Sequence, residues 1–219
     1  MKFFLDTAFI EQVKEAQSWG ILDGVTTNPT HVARTGLPAR EVYRQILAIV
    51  DGPVSLECLA LDAEGIIKEA RELNALGDNV VVKVPIMCEG LKAVKQLTAE
   101  GIKTNVTVNF SAMQAVLAAK CGATYISPFV GRLDLIGHCG MDLVHEIKTI
   151  YDEYGYTTQI IAAALRNPKH VLDSALIGAH VATMPLEIMQ QLYYHPMTDA
   201  AIAQFLADWK TVPAAEGAK

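Results

Sequence analysis

The sequence lacks the features that mark several large classes of protein. Its four cysteines are widely spaced and form no CxxC pair, so neither a zinc site nor a disulfide framework is indicated. The chain holds 18 Lys and Arg against 24 Asp and Glu, a net charge of -6, which argues against a nucleic-acid partner. No apolar run reaches the roughly 18 residues that cross a bilayer, so no membrane partner is expected.

Two further absences concern the cell compartment and disorder. The apolar stretch within residues 1–6 is too short, and is interrupted too soon by the charge of Asp6, to be a signal peptide. Together with the unpaired cysteines, this predicts a cytoplasmic protein. Charged residues make up only 19% of the 219 residues and hydrophobic residues make up 51%, so a disordered chain is excluded. What remains is a globular chain with enough apolar material for a large core.

A regular alternation runs along the chain. Short β-branched runs alternate with longer segments of helical period, which is the pattern of repeated βα units around a parallel sheet. The predicted strands lie at 2–6, 24–27, 54–60, 80–85, 102–108, 124–128, 159–164 and 180–183. The predicted helices lie near 8–18, 39–50, 62–76, 88–100, 111–121, 140–154, 168–178 and 185–194, with a last one near 197–210. Because no linker interrupts the alternation, residues 1–210 are predicted to form one domain, followed by a flexible tail at 211–219.

Eight βα units can close into a barrel or open into a doubly wound sheet. A doubly wound nucleotide-binding protein would carry GxGxxG after its first strand, whereas here Asp6-Thr7-Ala8-Phe9 contains no glycine. This favours an α/β fold of the (β/α)8 TIM-barrel type with an extra C-terminal helix. In such barrels the chemistry lies where the strands end and the βα loops begin.

Polar residues accumulate at those predicted strand ends. They are Asp6, Thr26, Thr27, Asn28, Glu57, Lys83, Asn105, Thr107, Ser127 and Arg166. A single such residue is more often a helix cap or a turn residue. An unpaired buried polar group costs about 2–7 kcal/mol, so polar groups at so many strand ends indicate a site rather than a structural accident.

Lys83 is the most informative of these residues, because apolar and mostly β-branched residues flank it on both sides in the predicted strand 80–85. Burial disfavours the charged form of an amine, and a neutral amine can attack a carbonyl to form a Schiff base. Asp6 and Glu57 could then deprotonate a hydroxyl group and relay protons at the carbinolamine. The residues predict a lysine-dependent aldolase or transferase for a polyhydroxylated carbonyl compound; the alternative is a purely structural ion pair between Lys83 and Glu57.

Two of the six arginines, Arg132 and Arg166, follow the sixth and seventh predicted strands. The planar guanidinium suits a phosphate, and barrels often hold a phosphate late in the strand order. A phosphorylated sugar is therefore the expected substrate. The alternative is that these arginines pair with the nearby Asp134 or Asp173.

Five segments resemble the small transaldolases, the subfamily that also includes fructose-6-phosphate aldolase. The segments are FLDTA at 4–8, GVTTNPT at 24–30, VKVP at 82–85, NVT at 105–107 and SPFVGR at 127–132. The resemblance extends from residue 2 to residue 210. It implies a barrel of the class I aldolase type.

The resemblance also implies a role for each matching residue. Lys83 would form the Schiff base, Asp6 would deprotonate the C4 hydroxyl, and Glu57 and Thr107 would hold the catalytic water. The substrate-binding residues would be Thr26, Asn28, Asn105, Ser127, Phe129, Arg132 and Arg166. The reaction would carry a dihydroxyacetone unit from fructose 6-phosphate to an aldose phosphate such as erythrose 4-phosphate, as in the pentose phosphate pathway.

No cofactor or metal would be needed according to the resemblance. The subfamily commonly forms homo-oligomers, as decamers of two pentamer rings, and the last helix would pack on a neighbouring subunit. Fructose-6-phosphate aldolases carry Gln and Tyr where this chain has Glu57 and Phe129, which favours a transaldolase. The alternatives are an aldolase that releases free dihydroxyacetone, an aldolase for an unphosphorylated or differently charged sugar, and a catalytically silent sugar-phosphate-binding protein.

One position departs from the subfamily pattern. The seventh strand usually ends Ala-Ser-hydrophobic-Arg, with the serine helping to hold phosphate, but here the segment reads Ala163-Ala164-Leu165-Arg166. One added hydrogen bond contributes about 0.5–1.5 kcal/mol, so Ala164→Ser is expected to lower KM for phosphorylated donors about 2- to 10-fold. Steady-state kinetics with fructose 6-phosphate measures this, and an unchanged KM would contradict it.

Overall fold

The computed structural model describes residues 1–213, and within them eight parallel strands close into a barrel in chain order. The strands are β1 (Lys2–Asp6), β2 (Gly24–Thr26), β3 (Val54–Glu57), β4 (Val80–Pro85), β5 (Thr104–Asn109), β6 (Tyr125–Pro128), β7 (Gln159–Ala162) and β8 (Val181–Met184). Each strand pairs with its neighbour in sequence, and β8 pairs with β1 to close the barrel. The predicted fold is confirmed.

Eleven helices accompany the strands within residues 1–213. They are α1 (Ile10–Ser18), α2 (Pro29–Thr35), α3 (Ala39–Leu47), α4 (Ala63–Asn74), α5 (Cys88–Ala99), α6 (Ala112–Lys120), α7 (Val130–Asp134), α8 (Gly140–Tyr154), α9 (Pro168–Ile177), α10 (Leu186–Gln191) and α11 (Pro196–Trp209). Nine of them match the predicted helices to within about three residues at each end.

The short helices α2 and α7 were not predicted. The signals for α2 were nevertheless present in the sequence. Asn28 caps its first turn by accepting a hydrogen bond from the His31 N–H at 2.9 Å, Pro29 occupies the first helical position, and Gly36 ends the helix with φ of 70°. The five residues of α7, which follows β6, are too few for a helical period to be recognised.

Two strands end earlier than predicted. The predicted third strand continued to residue 60, but β3 ends at Glu57 because the N–H groups of Leu59 and Ala60 donate to Glu69 Oε2, at 2.7 and 3.1 Å. The predicted seventh strand continued to residue 164, but β7 ends at Ala162, and Ala164 has φ of 56°, which a strand does not accommodate. The bounds of β1 and β4 are those predicted, and the remaining strand ends lie within two residues of their predicted positions.

Two separate apolar cores support the barrel. The larger core lies between the outer face of the sheet and the surrounding helices, with residues such as Leu56, Ile126 and Ile147 fully buried. The smaller core is a cluster of side chains from five strands. Its members are Phe4, Val81, Tyr125, Ile161 and Val181. Because this cluster fills the interior of the barrel, we call it the floor.

The last helix stands apart from both cores, since none of the residues of α11 is buried. The backbone turns after it, with the Thr211 N–H donating to the Asp208 carbonyl at 2.9 Å. The tail predicted at 211–219 lies mostly outside the described residues, which end at residue 213. In the described part of the chain, no helix combines the length and the apolar character needed to cross a membrane.

Candidate active site

A cavity of about 380 Å³ opens at the carboxyl end of the barrel strands. Its described lining consists of Asp6, Thr26, Asn28, Pro29, Thr30, His31, Arg34, Glu57, Lys83, Val108, Ser127, Phe129, Arg132, Ala163, Ala164, Arg166, Thr183 and Pro185. All the predicted site residues except Thr27, Asn105 and Thr107 belong to this lining. Thr27 is fully buried after β2, and the other two are fully buried on β5. The cavity therefore collects side chains that are far apart in the sequence.

The strand period explains how these side chains reach one place. Side chains two residues apart on a strand point to the same face. Each of the five floor residues is followed two positions later by a residue of the cavity lining. The pairs are Phe4 and Asp6, Val81 and Lys83, Tyr125 and Ser127, Ile161 and Ala163, and Val181 and Thr183. The polar site thus rests directly on an apolar floor that shields it from water on that side.

Lys83 lies at the centre of the site. In the strand register Lys83 stands beside Glu57 on one side and beside Asn105 on the other. Its Nζ lies 3.1 Å from Glu57 Oε2 and donates a hydrogen bond of 3.1 Å to the Thr27 carbonyl oxygen. The side chains of Lys83 and Glu57 are only 6% and 11% exposed, so the ion pair is buried.

Asp6 is the second carboxylate of the site and has its own set of partners. Thr26 donates to Oδ1 at 2.9 Å, and His31 Nε2 lies 3.5 Å from Oδ2. Burial by itself raises the pKa of Asp6, but the contact with His31, the charge of Lys83 and the Thr26 hydroxyl outweigh it. The pKa of Asp6 therefore lies below its ordinary value of 3.8, and the group is a carboxylate at neutral pH.

A chain of hydrogen bonds holds Ser127 in place. The Ser127 hydroxyl donates to Asn105 Oδ1 at 2.7 Å, and Asn105 Nδ2 donates to Ser55 Oγ at 3.2 Å. Asn105 is fully buried and Ser55 is 1% exposed. Asn105 thus holds the Ser127 hydroxyl at the cavity lining through this hydrogen bond.

Four buried side-chain oxygen atoms make no hydrogen bond with the described residues, and two of the four belong to predicted site residues. They are Thr107 Oγ1 and Glu57 Oε2; the latter is within ion-pair distance of Lys83 but not aligned for a hydrogen bond. Buried polar atoms are paired in most proteins, and those that are not often mark a functional site. Glu57 Oε2 therefore remains able to bind a polar group close to the Lys83 amine.

Arg132 on α7 and Arg166, which follows β7, both lie at the cavity with exposed side chains. The carboxylates that could have neutralised them are engaged elsewhere. Asp134 Oδ2 lies 3.3 Å from His170 Nε2, and Asp173 pairs with Lys169. The alternative that the two arginines pair with Asp134 or Asp173 is therefore wrong.

Sequence analysis missed four polar residues of the cavity lining. Thr30, His31 and Arg34 lie on α2, the helix that was not predicted, and Thr183 on β8 was placed in a strand but not assigned to the site. The Thr183 and Thr26 hydroxyls are 2.6 Å apart, which links Thr183 to Asp6 through Thr26. Their signal was their position, since Thr183 lies next to the end of β8 and the other three lie on the helix that follows β2.

Two lining residues have an unusual backbone conformation. Val108 and Ala164 are the non-glycine residues with positive φ in the described chain, at 60° and 56°. Such a conformation is strained for a β-branched residue and is often found at functional sites. The register between β5 and β6 shifts between Val106 and Asn109. This irregularity accompanies the placing of Val108 in the cavity lining, where simple alternation along β5 would not put it.

Comparisons with known proteins identify close relatives of this chain. The family model described as transaldolase/fructose-6-phosphate aldolase matches residues 3–216. A probable transaldolase of Aquifex aeolicus is 61% identical over 213 residues, which cover 97% of this chain and 98% of that protein. A probable transaldolase of Coprothermobacter proteolyticus is 59% identical with the same coverage. A probable transaldolase of Geotalea uraniireducens is 58% identical, and the match covers 97% of this chain and 100% of that protein.

Among solved structures, a mandelate oxidase variant with a monooxide FMN adduct has a TM-score of 0.60. It is 15% identical, and the match covers 85% of this chain and 65% of that chain. At this identity the likeness shows the barrel fold alone.

The environment of Asp6 generates a prediction about His31. Replacing His31 by Asn removes a contact that lowers the pKa of Asp6 and leaves its burial, which raises it, so the pKa of Asp6 should rise. A lowered carboxyl pKa stabilises the fold above the unfolded-state pKa and loses this contribution as pH falls through the folded-state value. As the pH is lowered, the variant should therefore begin to lose this contribution to its stability at a higher pH than the native protein does.

Carboxyl NMR titration of Asp6 in the two proteins measures the change directly. His145→Asn, on the exposed face of α8, is the matched control. An Asp6 pKa that stays the same or falls in His31→Asn would contradict this electrostatic interpretation.

Proposed function

Because this chain belongs to the transaldolase/fructose-6-phosphate aldolase family, we propose that it is a transaldolase that works through a Schiff base on Lys83. The donor would be a ketose phosphate of the fructose 6-phosphate type and the acceptor an aldose phosphate. The observation that carries the proposal is the buried Lys83 amine, 3.1 Å from Glu57, in a cavity that Asp6 and two arginines also line.

The first step joins Lys83 to the donor. Glu57, whose Oε2 is 3.1 Å away, takes a proton from Nζ, which then attacks the C2 carbonyl carbon and passes a proton to the carbonyl oxygen. Glu57 returns its proton to the departing hydroxyl, and the carbinolamine loses water to give an iminium. The unpaired Thr107 Oγ1 is available to orient that water.

The second step breaks the bond between C3 and C4. Asp6 removes the proton of the C4 hydroxyl, the C3–C4 electron pair moves into the iminium to form an enamine, and the aldehyde leaves. Since the pKa of Asp6 is lowered, the base is ionised at neutral pH. Glu57 and Asp6 have different surroundings, which suits two carboxylates with different roles.

The third step transfers the retained three-carbon unit. The enamine carbon attacks the aldehyde carbon of the acceptor, and Asp6 returns the proton to the new hydroxyl. Water then adds to the iminium, and the carbinolamine collapses to the product ketose and the free Lys83 amine. No group outside the chain, the two sugars and water takes part in this sequence.

Hydroxyl groups of the sugar would meet the polar residues around Lys83. Asn28 Oδ1 already accepts the capping hydrogen bond of α2, so the side-chain Nδ2 is left to donate to a hydroxyl. Ser127 is held by Asn105 and lines the cavity, where its oxygen can accept a hydrogen bond. Thr26 binds Asp6 and would help to keep that carboxylate directed at the C4 hydroxyl.

The phosphate would lie at the rim of the cavity, between Arg132 and Arg166. Both guanidinium groups can donate two parallel hydrogen bonds to a phosphate. Their location after β6 and β7 matches the late-strand phosphate sites of many barrels. Arg34 on α2 is a further cation of the same lining.

Transfer is favoured over release of free dihydroxyacetone by two residues. A carboxylate such as Glu57 can relay protons where an amide cannot, and Phe129 offers no hydroxyl that would help to hydrolyse the intermediate. Phe129 is held in a T-shaped contact with Phe110, with ring centroids 5.7 Å apart. An apolar wall at this point would let the enamine persist until the acceptor arrives.

The proposal includes a homo-oligomer, with the family's decamer of two pentamer rings as its form, in the cytoplasm. The homo-oligomer is supported by α11, in which no residue is buried and Phe205 and Trp209 are 70% and 73% exposed. A large apolar helix face exposed in this way is typical of a protein–protein contact.

Borohydride reduction tests the Schiff base. With fructose 6-phosphate present, reduction should add the retained sugar fragment to Lys83, as seen by peptide mass spectrometry. Lys83→Met should give no adduct, whereas Lys92→Met, which alters an exposed lysine of α5, should be labelled like the native enzyme. Absence of any adduct in the native enzyme would overturn the proposed mechanism.

Acceptor dependence tests the assignment to transfer. Turnover of fructose 6-phosphate should require erythrose 4-phosphate, and Phe129→Tyr should raise the release of free dihydroxyacetone when no acceptor is present. Equal turnover with and without acceptor in the native enzyme would favour the aldolase instead.

A further inference from the structure

The two arginines at the rim belong to different segments of the chain. Arg132 lies on the five-residue helix α7, and Arg166 lies between β7 and α9. Both side chains are exposed. Two long side chains on separate segments bind one anion tightly only if the segments keep a fixed distance. Otherwise the cost of ordering the two segments on binding lowers the affinity.

The backbone accounts for part of this fixed distance. The Val130 N–H donates to the Ala163 carbonyl at 3.0 Å, and the Gly131 N–H donates to the Ala164 carbonyl at 3.2 Å. A Cβ on Gly131 would lie 2.4 Å from that carbonyl oxygen and 2.7 Å from Arg166 Cγ. The absence of a side chain at Gly131 therefore lets the Arg166 stem pack against the beginning of α7.

His170 supplies the remaining connection. Its Nδ1 accepts a hydrogen bond of 3.3 Å from the Arg166 N–H, and its Nε2 lies 3.3 Å from Asp134 Oδ2. Because Nδ1 is an acceptor, the neutral ring carries its proton on Nε2, which is the atom that faces the carboxylate. The His170 side chain is only 14% exposed, so the ring is held among its neighbours.

Asp134 is connected to a third helix as well. Its Oδ1 accepts a hydrogen bond of 2.8 Å from the N–H of Gly140, the first residue of α8. Both oxygens of the carboxylate are thus engaged, although Asp134 is only two residues from Arg132. This arrangement keeps a nearby negative charge away from the guanidinium groups.

From these contacts we infer that His170 and Asp134 are a positioning pair for the anion site. The pair joins the end of α7 to the Arg166 backbone and directs the Asp134 carboxylate away from the arginines. The inference rests on the proposed function, in which Arg132 and Arg166 bind the phosphate of the sugar. Neither residue of the pair touches the reacting atoms, so its effect should appear in substrate binding and not in bond making.

The test compares a phosphorylated with an unphosphorylated donor. In His170→Ala, KM for fructose 6-phosphate should rise about 3- to 10-fold, the effect of one or two hydrogen bonds, with kcat nearly unchanged. The kcat/KM for fructose should stay the same. A role limited to overall stability would lower kcat/KM for both donors together, and that result would overturn the inference.

A milder variant, alone and combined with His170→Ala, guards against misfolding. In Asp134→Asn one oxygen remains to accept from Gly140, while the charged partner of His170 is lost. This variant should show the same selective rise in KM, and its effect should not add to that of His170→Ala, because both remove one connection. Fully additive effects, or no selective rise in either variant, would contradict the pairing. His145→Ala is the control for loss of an exposed histidine.

Arg166→Ala separates a failure of this inference from a failure of the proposed function. If Arg166→Ala lowers the preference for fructose 6-phosphate over fructose but His170→Ala does not, the arginine binds the phosphate and the positioning role is wrong. If Arg166→Ala leaves the preference unchanged, the proposed anion site is wrong and the inference falls with it. The native fold of each variant is checked by circular dichroism.

Discussion

The buried ion pair between Lys83 and Glu57 is the interaction on which the rest of the site depends. Removing charges from water is costly, and a buried pair that loses one partner is destabilised by about 3–5 kcal/mol. The barrel meets this requirement through its register, which places Glu57 beside Lys83 on adjacent strands. The Thr27 carbonyl accepts a further hydrogen bond from the amine. The remaining lining completes a shell around this pair.

The floor beneath the pair gives the cavity its chemical character. Five apolar side chains close the interior of the barrel, and the polar residues stand one strand period above them. A site closed to water on one side strengthens the electrostatic interactions within it. The same geometry explains why Asp6 and Glu57 differ: Asp6 is stabilised by Thr26 and His31, whereas Glu57 faces the amine directly.

Much of this arrangement could be predicted from the sequence, because a barrel strand is short and its ends are marked. Lys83 stood out as a charge within an apolar strand, and closing eight strands brings Asp6, Glu57 and Ser127 to the same end. Three features were not predicted. Helix α2 is too short for its period to be recognised, although Asn28, Pro29 and Gly36 mark its ends, so His31 and Arg34 were missed. The positive φ of Val108 arises from pairing between strands, and the pairing of Asp134 with His170 depends on how α7 and α9 pack.

The central claim is that the Lys83 amine holds the donor between Glu57 and Asp6, and a crystal structure of the borohydride-reduced complex tests it most directly. For a stable analogue that retains its C4 hydroxyl, the account predicts a covalent bond from Nζ to C2. It also predicts the C4 hydroxyl within hydrogen-bond distance of Asp6 and the phosphate between Arg132 and Arg166. A sugar bound without a bond to Lys83, or bound with its C4 hydroxyl away from Asp6, would contradict the account.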